Sequence, residues 1–201
     1  MSDGGPVTGA VATQRPRLIV GISGASGIIY GVRLLQLLRK AGVESHLIMS
    51  RSARVTLAYE TDMKVADVAA LADVVYTQSD IGAAISSGSF RTTGMIVAPC
   101  SMRTLGEIST CVSSSLLTRA ADVVLKERRR LVLLVRETPL HLGHLRAMVA
   151  VTEMGAVVYP PVPAFYAKPK TIDEMVDQTV GRALDLFGID TGSVHRWREA
   201  D

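Results

Sequence analysis

The chain has 201 residues, of which 48% are hydrophobic and 20% charged, with a formal net charge of +3. That length suits one sizeable core and is short for two, and so small a net charge makes no case for nucleic acid. No uncharged run has the length and uniform apolarity of a membrane span, so the apolar excess is expected to line a buried sheet and subunit interfaces. Two cysteines, Cys100 and Cys111, are no disulfide framework and point to a reducing, cytoplasmic compartment. The start, "MSDGGPVTGAVATQ", lacks the blocks of a signal peptide, so residues 1–16 are expected to form a flexible tail before a single domain over 17–201.

In chain order, "RLIVGI" (17–22) predicts a strand, and Ser26 to Ala41 a helix with Val32, Leu35 and Leu38 inward. "VESHLIMS" (43–50) predicts a second strand, followed by helix "ARVTLAYE", a short helix near 65–72, the strand "VVYT" and the uncharged loop "IGAAISSGSF". The clearest buried strands are "GMIVAPC" (94–100) and "LVLLV" (131–135), with a long helical region between them. "HLGHLRAMVAVTEMG" predicts a helix ending at Gly155, "AVVYPP" a last strand stopped by prolines, and 171–187 a final amphipathic helix. This alternation predicts one α/β domain: a doubly wound, mostly parallel sheet, flavodoxin-like or Rossmann-like, with helices on both faces.

Such folds bind ligands at the carboxyl ends of the strands. The loops there are "SGAS", "SRSA", "CSMRT", "RETP" and "PPVPAFY", rich in hydroxyls, arginines and small residues. Each alone reads as an ordinary turn or cap, but five together point to an anion pocket. The first, within "VGISGASGIIYG" (20–31), departs from the dinucleotide fingerprint by placing Ser23 and Ser26 where glycines belong. The second strand ends in Ser50 and Arg51 with no carboxylate for a ribose, which disfavours a nicotinamide dinucleotide, and no Walker Gly-Lys-Ser/Thr follows the loop. A helix N-terminus bearing serines suits a single phosphate, and FMN fits what remains.

Taken together, "GISGASG", "YETD" (59–62), "APCSMRTL", "LLTRAADVVLKERR", "VRETPLHLGHL" and "PPVPAFY" resemble the UbiX-type flavin prenyltransferases, from about Arg17 to Trp197. The resemblance implies a flavodoxin-like fold and a dimethylallyl group transferred from dimethylallyl monophosphate to position 5 and carbon 6 of reduced FMN. The prenylated FMN would serve a UbiD-type decarboxylase. It further implies FMN contacts from Gly24, Ala25, Ser26, Ser50, Ser101, Met102, Arg103, Thr104 and Arg136. The prenyl phosphate would be held by Lys126, Arg136, Tyr166 and Arg182, with Glu60 and Arg119 as further contributors and Trp197 covering the site. Ser26 and Glu137 would pass on the carbon 6 proton together with the released phosphate. A homo-oligomer of twelve subunits is implied, with sites at subunit junctions and Lys126 or the Tyr166–Arg182 pair supplied by a neighbour.

The chemistry of the residues agrees, since Arg and Lys can stabilise a departing phosphate without metal, and the chain lacks the Asp-rich cluster of Mg²⁺-dependent prenyltransferases. Arg128 to Arg130 read as a solvated turn, and Cys100 as a small buried residue. His141 and His144 read as surface or capping residues, so no metal is expected. Two rivals compete. A flavin-dependent decarboxylase of peptidyl or pantothenoyl cysteine would carry a Pro-x-Met-Asn block, where this chain has "APCSMRT". A non-catalytic flavin carrier would need none of Lys126, Glu137, Tyr166 and Arg182.

Overall fold

The computed structural model describes residues 15–198. Six strands, β1 (Arg17–Ile22), β2 (Glu44–Met49), β3 (Val74–Tyr76), β4 (Gly94–Cys100), β5 (Arg130–Val135) and β6 (Val157–Val158), form one sheet. Their order is β3-β2-β1-β4-β5-β6, and every neighbouring pair is parallel. Helices α1 (Ile28–Lys40), α2 (Arg51–Glu60), α3 (Val65–Ala69), α4 (Met102–Ser109), α5 (Leu116–Lys126), α6 (Leu142–Glu153) and α7 (Ile172–Asp185) connect or follow them. This is the doubly wound α/β class, and the winding reverses between β1 and β4, where such folds open their ligand crevice.

A parallel sheet covered on both faces needs apolar residues at successive positions, and the two-residue side-chain period sorts them. Leu18, Val20, Ile22, Ile96 and Ala98 face one core with Val32, Leu35 and Leu38 of α1 and Val180 and Leu184 of α7. Ile19, Met95, Val97, Leu131 and Leu133 face the other, with Leu117, Ala121 and Val124 of α5. Helix α1 lies so close to the sheet that a Cβ on Gly31 would sit 2.5 Å from the Ala98 carbonyl oxygen.

Several elements depart from the sequence expectation. Helix α1 starts at Ile28 rather than Ser26 because Gly27 takes a left-handed φ of 98°. The long helix expected between β4 and β5 is two helices, broken where Cys111 adopts φ 57° and the serine run 113–115 begins. Serine side chains compete for backbone groups, and Ser115 instead caps α5. Strand β6 is only two residues long because Pro160 and Pro161 offer no N–H to a ladder. Residues 1–14 of the expected tail lie outside the described residues. Arg15 and Pro16 are tied to the start of β2, with Arg15 Nε donating to Gly42 O at 3.0 Å and Glu44 N donating to Pro16 O at 2.8 Å. No described helix is long and apolar enough to cross a membrane.

Candidate active site

The loop after β1 is shaped by contacts far away in sequence. Buried Ser23 donates its hydroxyl to Pro99 O at 2.8 Å and accepts from Ser101 N–H at 2.7 Å, so it staples β1 to β4 at the winding reversal. Its hydroxyl is therefore spent on backbone, which corrects the expectation of a free phosphate donor there. Gly24 is required by crowding, since a Cβ would lie 2.4 Å from Ser52 Cβ. The N-terminus of α1 is closed by a carboxylate: Gly27 N–H and Ile28 N–H donate to Glu60 Oε2 at 2.9 and 3.0 Å, and the Ser26 hydroxyl bonds the same group. Burial pushes the Glu60 carboxyl up, but these bonds and the nearby Arg136 charge together hold it below its ordinary value. An anion does sit at this helix N-terminus, and it is the protein's own.

Three more helix ends lie one step away. Ser50, Ser101 and Ser115 cap α2, α4 and α5, accepting from Ala53 N–H at 3.0 Å, Thr104 N–H at 3.3 Å and Thr118 N–H at 3.4 Å. All three line one polar crevice with Ser52, Gln78, Arg103 and Thr104. The Glu107 carboxylate lines the same crevice, beside three helix ends, hydroxyls and the Arg103 guanidinium, the last three being the kinds of group that bind a monoester phosphate. Arg103 is largely exposed and is held by Glu107 at 2.9 Å. A cavity of about 500 Å³ adjoins the crevice, lined by Met49, Arg51, Arg54, Thr77, Gln78, Ser79, Ser114 and Ser115. Met102 packs in the same apolar cluster as Ala147 and Met148 of α6. Ser52 lies in the expected loop "SRSA", whereas Gln78 and Ser115 lie in none of the expected loops; the Ser115-Leu-Leu-Thr118 capping spacing is the one signal for the last.

Arg136 follows β5, its N–H donating to Cys100 O at 3.1 Å, which seats it beside the flavin loop and within electrostatic reach of Tyr30 and Glu60. The next residue, Glu137, is exposed, and its carboxylate accepts from Thr138 N–H at 3.0 Å. Burial pushes the Cys100 thiol up to about 12, so it stays protonated and is no nucleophile. His141 caps α6 through Nδ1, which accepts from Gly143 N–H at 3.0 Å. Among the described residues no group of three or more His, Cys, Asp or Glu side chains is placed to hold a metal ion.

A second constellation forms beside the edge strand. Tyr166 meets Trp197 edge-on at 5.6 Å between ring centroids, and its hydroxyl lies 3.4 Å from Gln178 Nε2. Arg182 pairs with Asp185, which also binds Arg196. The Tyr159 hydroxyl reaches Thr179 O at 3.5 Å and feels the charges of Arg182 and Asp185, while burial, the larger influence, pushes its pKa up. Two expected contributors fall elsewhere. Arg119 lies on α5, bonded to Asp122 at 2.8 Å. Lys126 ends α5, just before β5 begins, and pairs with Glu127. That is the amino-terminal end of the sheet, so one chain does not bring Lys126 to Arg136.

With this geometry in place, the chain can be compared with known proteins. The family model named Flavoprotein matches residues 9–184, which places the chain among flavin-binding α/β proteins. The flavin prenyltransferase UbiX of Escherichia coli strain K12 is 62% identical over 174 residues, covering 86% of this chain and 92% of that one. That of Thauera aromatica is 55% identical over 181 residues, covering 90% of this chain and 93% of the other. The crystal structure of AnUbiX (PadA1) in complex with FMN and dimethylallyl pyrophosphate superposes with a TM-score of 0.91 at 52% identity, covering 94% of this chain and all of that one. The chain belongs to the UbiX-type flavin prenyltransferases. A cysteine decarboxylase of the pantothenoyl type, at 19% identity and a TM-score of 0.59, shares the fold alone.

Proposed function

We propose that this flavin prenyltransferase moves a dimethylallyl group from dimethylallyl monophosphate to reduced FMN, and that prenylated FMN passes to a UbiD-type decarboxylase. The observation that carries the reading is the division of the site. A crevice of three serine-capped helix ends suits the FMN phosphate, while Arg136, with the cationic and aromatic group Tyr166, Arg182 and Trp197, suits a prenyl phosphate. On this reading Gly24, Ala25, Ser26, Ser50 and the stretch Ser101, Met102, Arg103 and Thr104 hold the flavin. Bound reduced FMN supplies the two nucleophilic positions, position 5 and carbon 6: one bond replaces the broken C–O bond and the other consumes the alkene π pair. Each position gives up a proton, of which one returns to the alkene carbon and one leaves with the phosphate.

The chain's own work is electrostatic and protic. As the allylic C–O bond breaks, its electron pair leaves with the phosphate, and Arg136, Arg182 and Lys126 neutralise that charge. Charge-assisted bonds of this kind are worth about 1.5–3 kcal/mol each. The carbon 6 proton moves toward Glu137, Ser26 and the departing phosphate, while Glu60 keeps the Ser26 hydroxyl oriented.

A neighbouring subunit supplies Lys126, because α5 carries it to the far end of its own chain's sheet. The UbiX-like protein of Escherichia coli O157:H7, at a TM-score of 0.89 and 51% identity, is described as dodecameric, which supports the same assembly here. We place the enzyme in the cytoplasm, on its two free thiols, Cys100 and Cys111.

The test is anaerobic incubation with FMN, dithionite and dimethylallyl monophosphate, with the diphosphate in parallel, followed by mass spectrometry of the flavin. A flavin heavier by one C5 unit is expected with the monophosphate, at the same rate in EDTA. An unchanged flavin mass on folded, FMN-loaded protein overturns the reading, and a strict Mg²⁺ requirement overturns the arginine account.

A further inference from the structure

We propose that Gln178 and Gly181 of α7 are positioning residues for the prenyl donor: they seat the segment 190–198 across the helix so that Trp197 stands against Tyr166. The inference rests on the reading of Tyr166, Arg182 and Trp197 as donor contacts. Its substance is that none of these three is held in place by its own element alone.

Gln178 is 5% exposed, and a primary amide buried on a helix face needs partners for both of its ends. Oε1 accepts from His195 N–H at 2.8 Å, and Nε2 donates to His195 O at 2.9 Å while lying 3.4 Å from the Tyr166 hydroxyl. One side chain thus serves residue 195 as a neighbouring strand would, taking both its backbone groups, and it reaches Tyr166 with the same nitrogen. No apolar residue in that position can join the three pieces.

Gly181 gives an independent sign of the crossing. Glycine is the poorest helix former short of proline, yet it stands in the interior of α7. A Cβ there would lie 2.5 Å from Val194 Cγ2 and 3.0 Å from Thr191 Oγ1, so the missing side chain is the room the segment occupies. One turn further on, Asp185 completes the fastening. Its carboxylate accepts from Arg196 at 2.9 and 3.0 Å and from Arg182, so the crossing segment and the donor-site arginine share one counter-charge. Tyr166 and Arg182 are therefore each oriented by a group that also holds residues 195 and 196.

Gly181→Ala and Gln178→Leu test this in the assembled, FMN-loaded enzyme. Gly181→Ala favours the helix and removes no donor-site side chain, so its effect belongs to the seating of the segment. Two quantities are read: amide hydrogen exchange at His195, and the Kd of dimethylallyl monophosphate by calorimetry on the oxidised flavin, where no transfer occurs. Both variants are expected to lose His195 protection and to weaken donor binding roughly tenfold, the size of one or two lost buried hydrogen bonds, with FMN affinity unchanged. Retained protection in both variants overturns the seating role. Lost protection with wild-type donor affinity, or an equal loss of FMN affinity, overturns the positioning role. A wild type that binds donor but leaves reduced flavin unalkylated fails the proposed function, a result distinct from all of these.

Discussion

At the carboxyl ends of β1, β2 and β4, polar groups are matched within one chain: Ser23 to Pro99 and Ser101, Glu60 to the α1 N-terminus, and a serine to each of three helix ends. Around α6 and the edge strand the opposite holds. Only Val151 of α6 is buried, while Leu142, Leu145 and Val149 are exposed by 59%, 45% and 57%, and beside α7 Phe165, Tyr166 and Trp197 are exposed as well. Helix α5, on the same face of the sheet, buries seven residues. A helix that buries one residue gains little from packing within its own chain, whereas the polar groups after β1, β2 and β4 find their partners there. The difference teaches that the two halves of the proposed site are built differently: polar groups matched within one chain on the flavin side, and exposed aromatic side chains on the donor side.

The largest effect expected from breaking this contrast lies in proton handling. Ser26→Ala and Glu137→Gln keep side-chain size roughly constant and remove proton carriers, so both should retain FMN and lose about 10²–10⁴-fold in turnover. Single-turnover rates with bound FMN check this. If both variants turned over at the wild-type rate, the two residues would be structural only.

The next effect concerns assembly. Val149→Asp places a charge on the exposed face of α6, where a lone chain tolerates it and an apolar contact does not. Sedimentation should show smaller species, with FMN still bound and turnover reduced roughly tenfold or more, as expected if a neighbour supplies Lys126 to the proposed site. Mixing Ser26→Ala with Tyr166→Phe under subunit exchange sharpens the point. Recovered activity shows that some junctions combine two intact halves, and a fully active monomer shows that each chain builds its site alone.

How legible all this is in the sequence follows the same divide. Strands β1, β4 and β5 and the loops after them stand out because buried parallel strands are short apolar runs whose ends carry the polar residues, and the motif blocks coincide with those ends. Ser23 and Glu60 were singled out as residues, but their partners lie 76 and 33 positions away, and no local pattern announces such bonds. Ser26 is expected to act with Glu137, and no local pattern announces that Glu60 also bonds its hydroxyl. The α4–α5 break was hidden because the helical periodicity on either side outweighed a serine run whose real use is capping. Lys126 was recognised by motif, while its distance from the rest of the site is a property of where α5 ends. Gln178 and Gly181 look like ordinary helix surface and a weak helix position until the crossing segment is seen.

The smallest effect tests the flavin side, at the carboxylate that closes α1. Glu60 is exposed, so its helix-end and Arg136 interactions are screened, and charge at a helix terminus is worth about 0.3–1 kcal/mol. Because its folded pKa is depressed, that contribution is fully present above the ordinary glutamate value, near pH 4.5, and is lost as pH falls through the lower folded value. Glu60→Gln keeps an acceptor oxygen for Gly27 or Ile28 N–H and removes only the charge. The variant should therefore be less stable than wild type by that amount at pH 7, and the gap should narrow as pH falls below the ordinary glutamate value. Asp73, Glu107 and Asp185 are depressed in the same direction, so both proteins still lose stability in acid, and the difference between them isolates Glu60. Urea melts at pH 7 and at a series of lower pH values read how the gap changes. Equal stability of variant and wild type at pH 7 would show that the helix end does not feel the charge, and the Glu60 closure would then be a matter of shape alone.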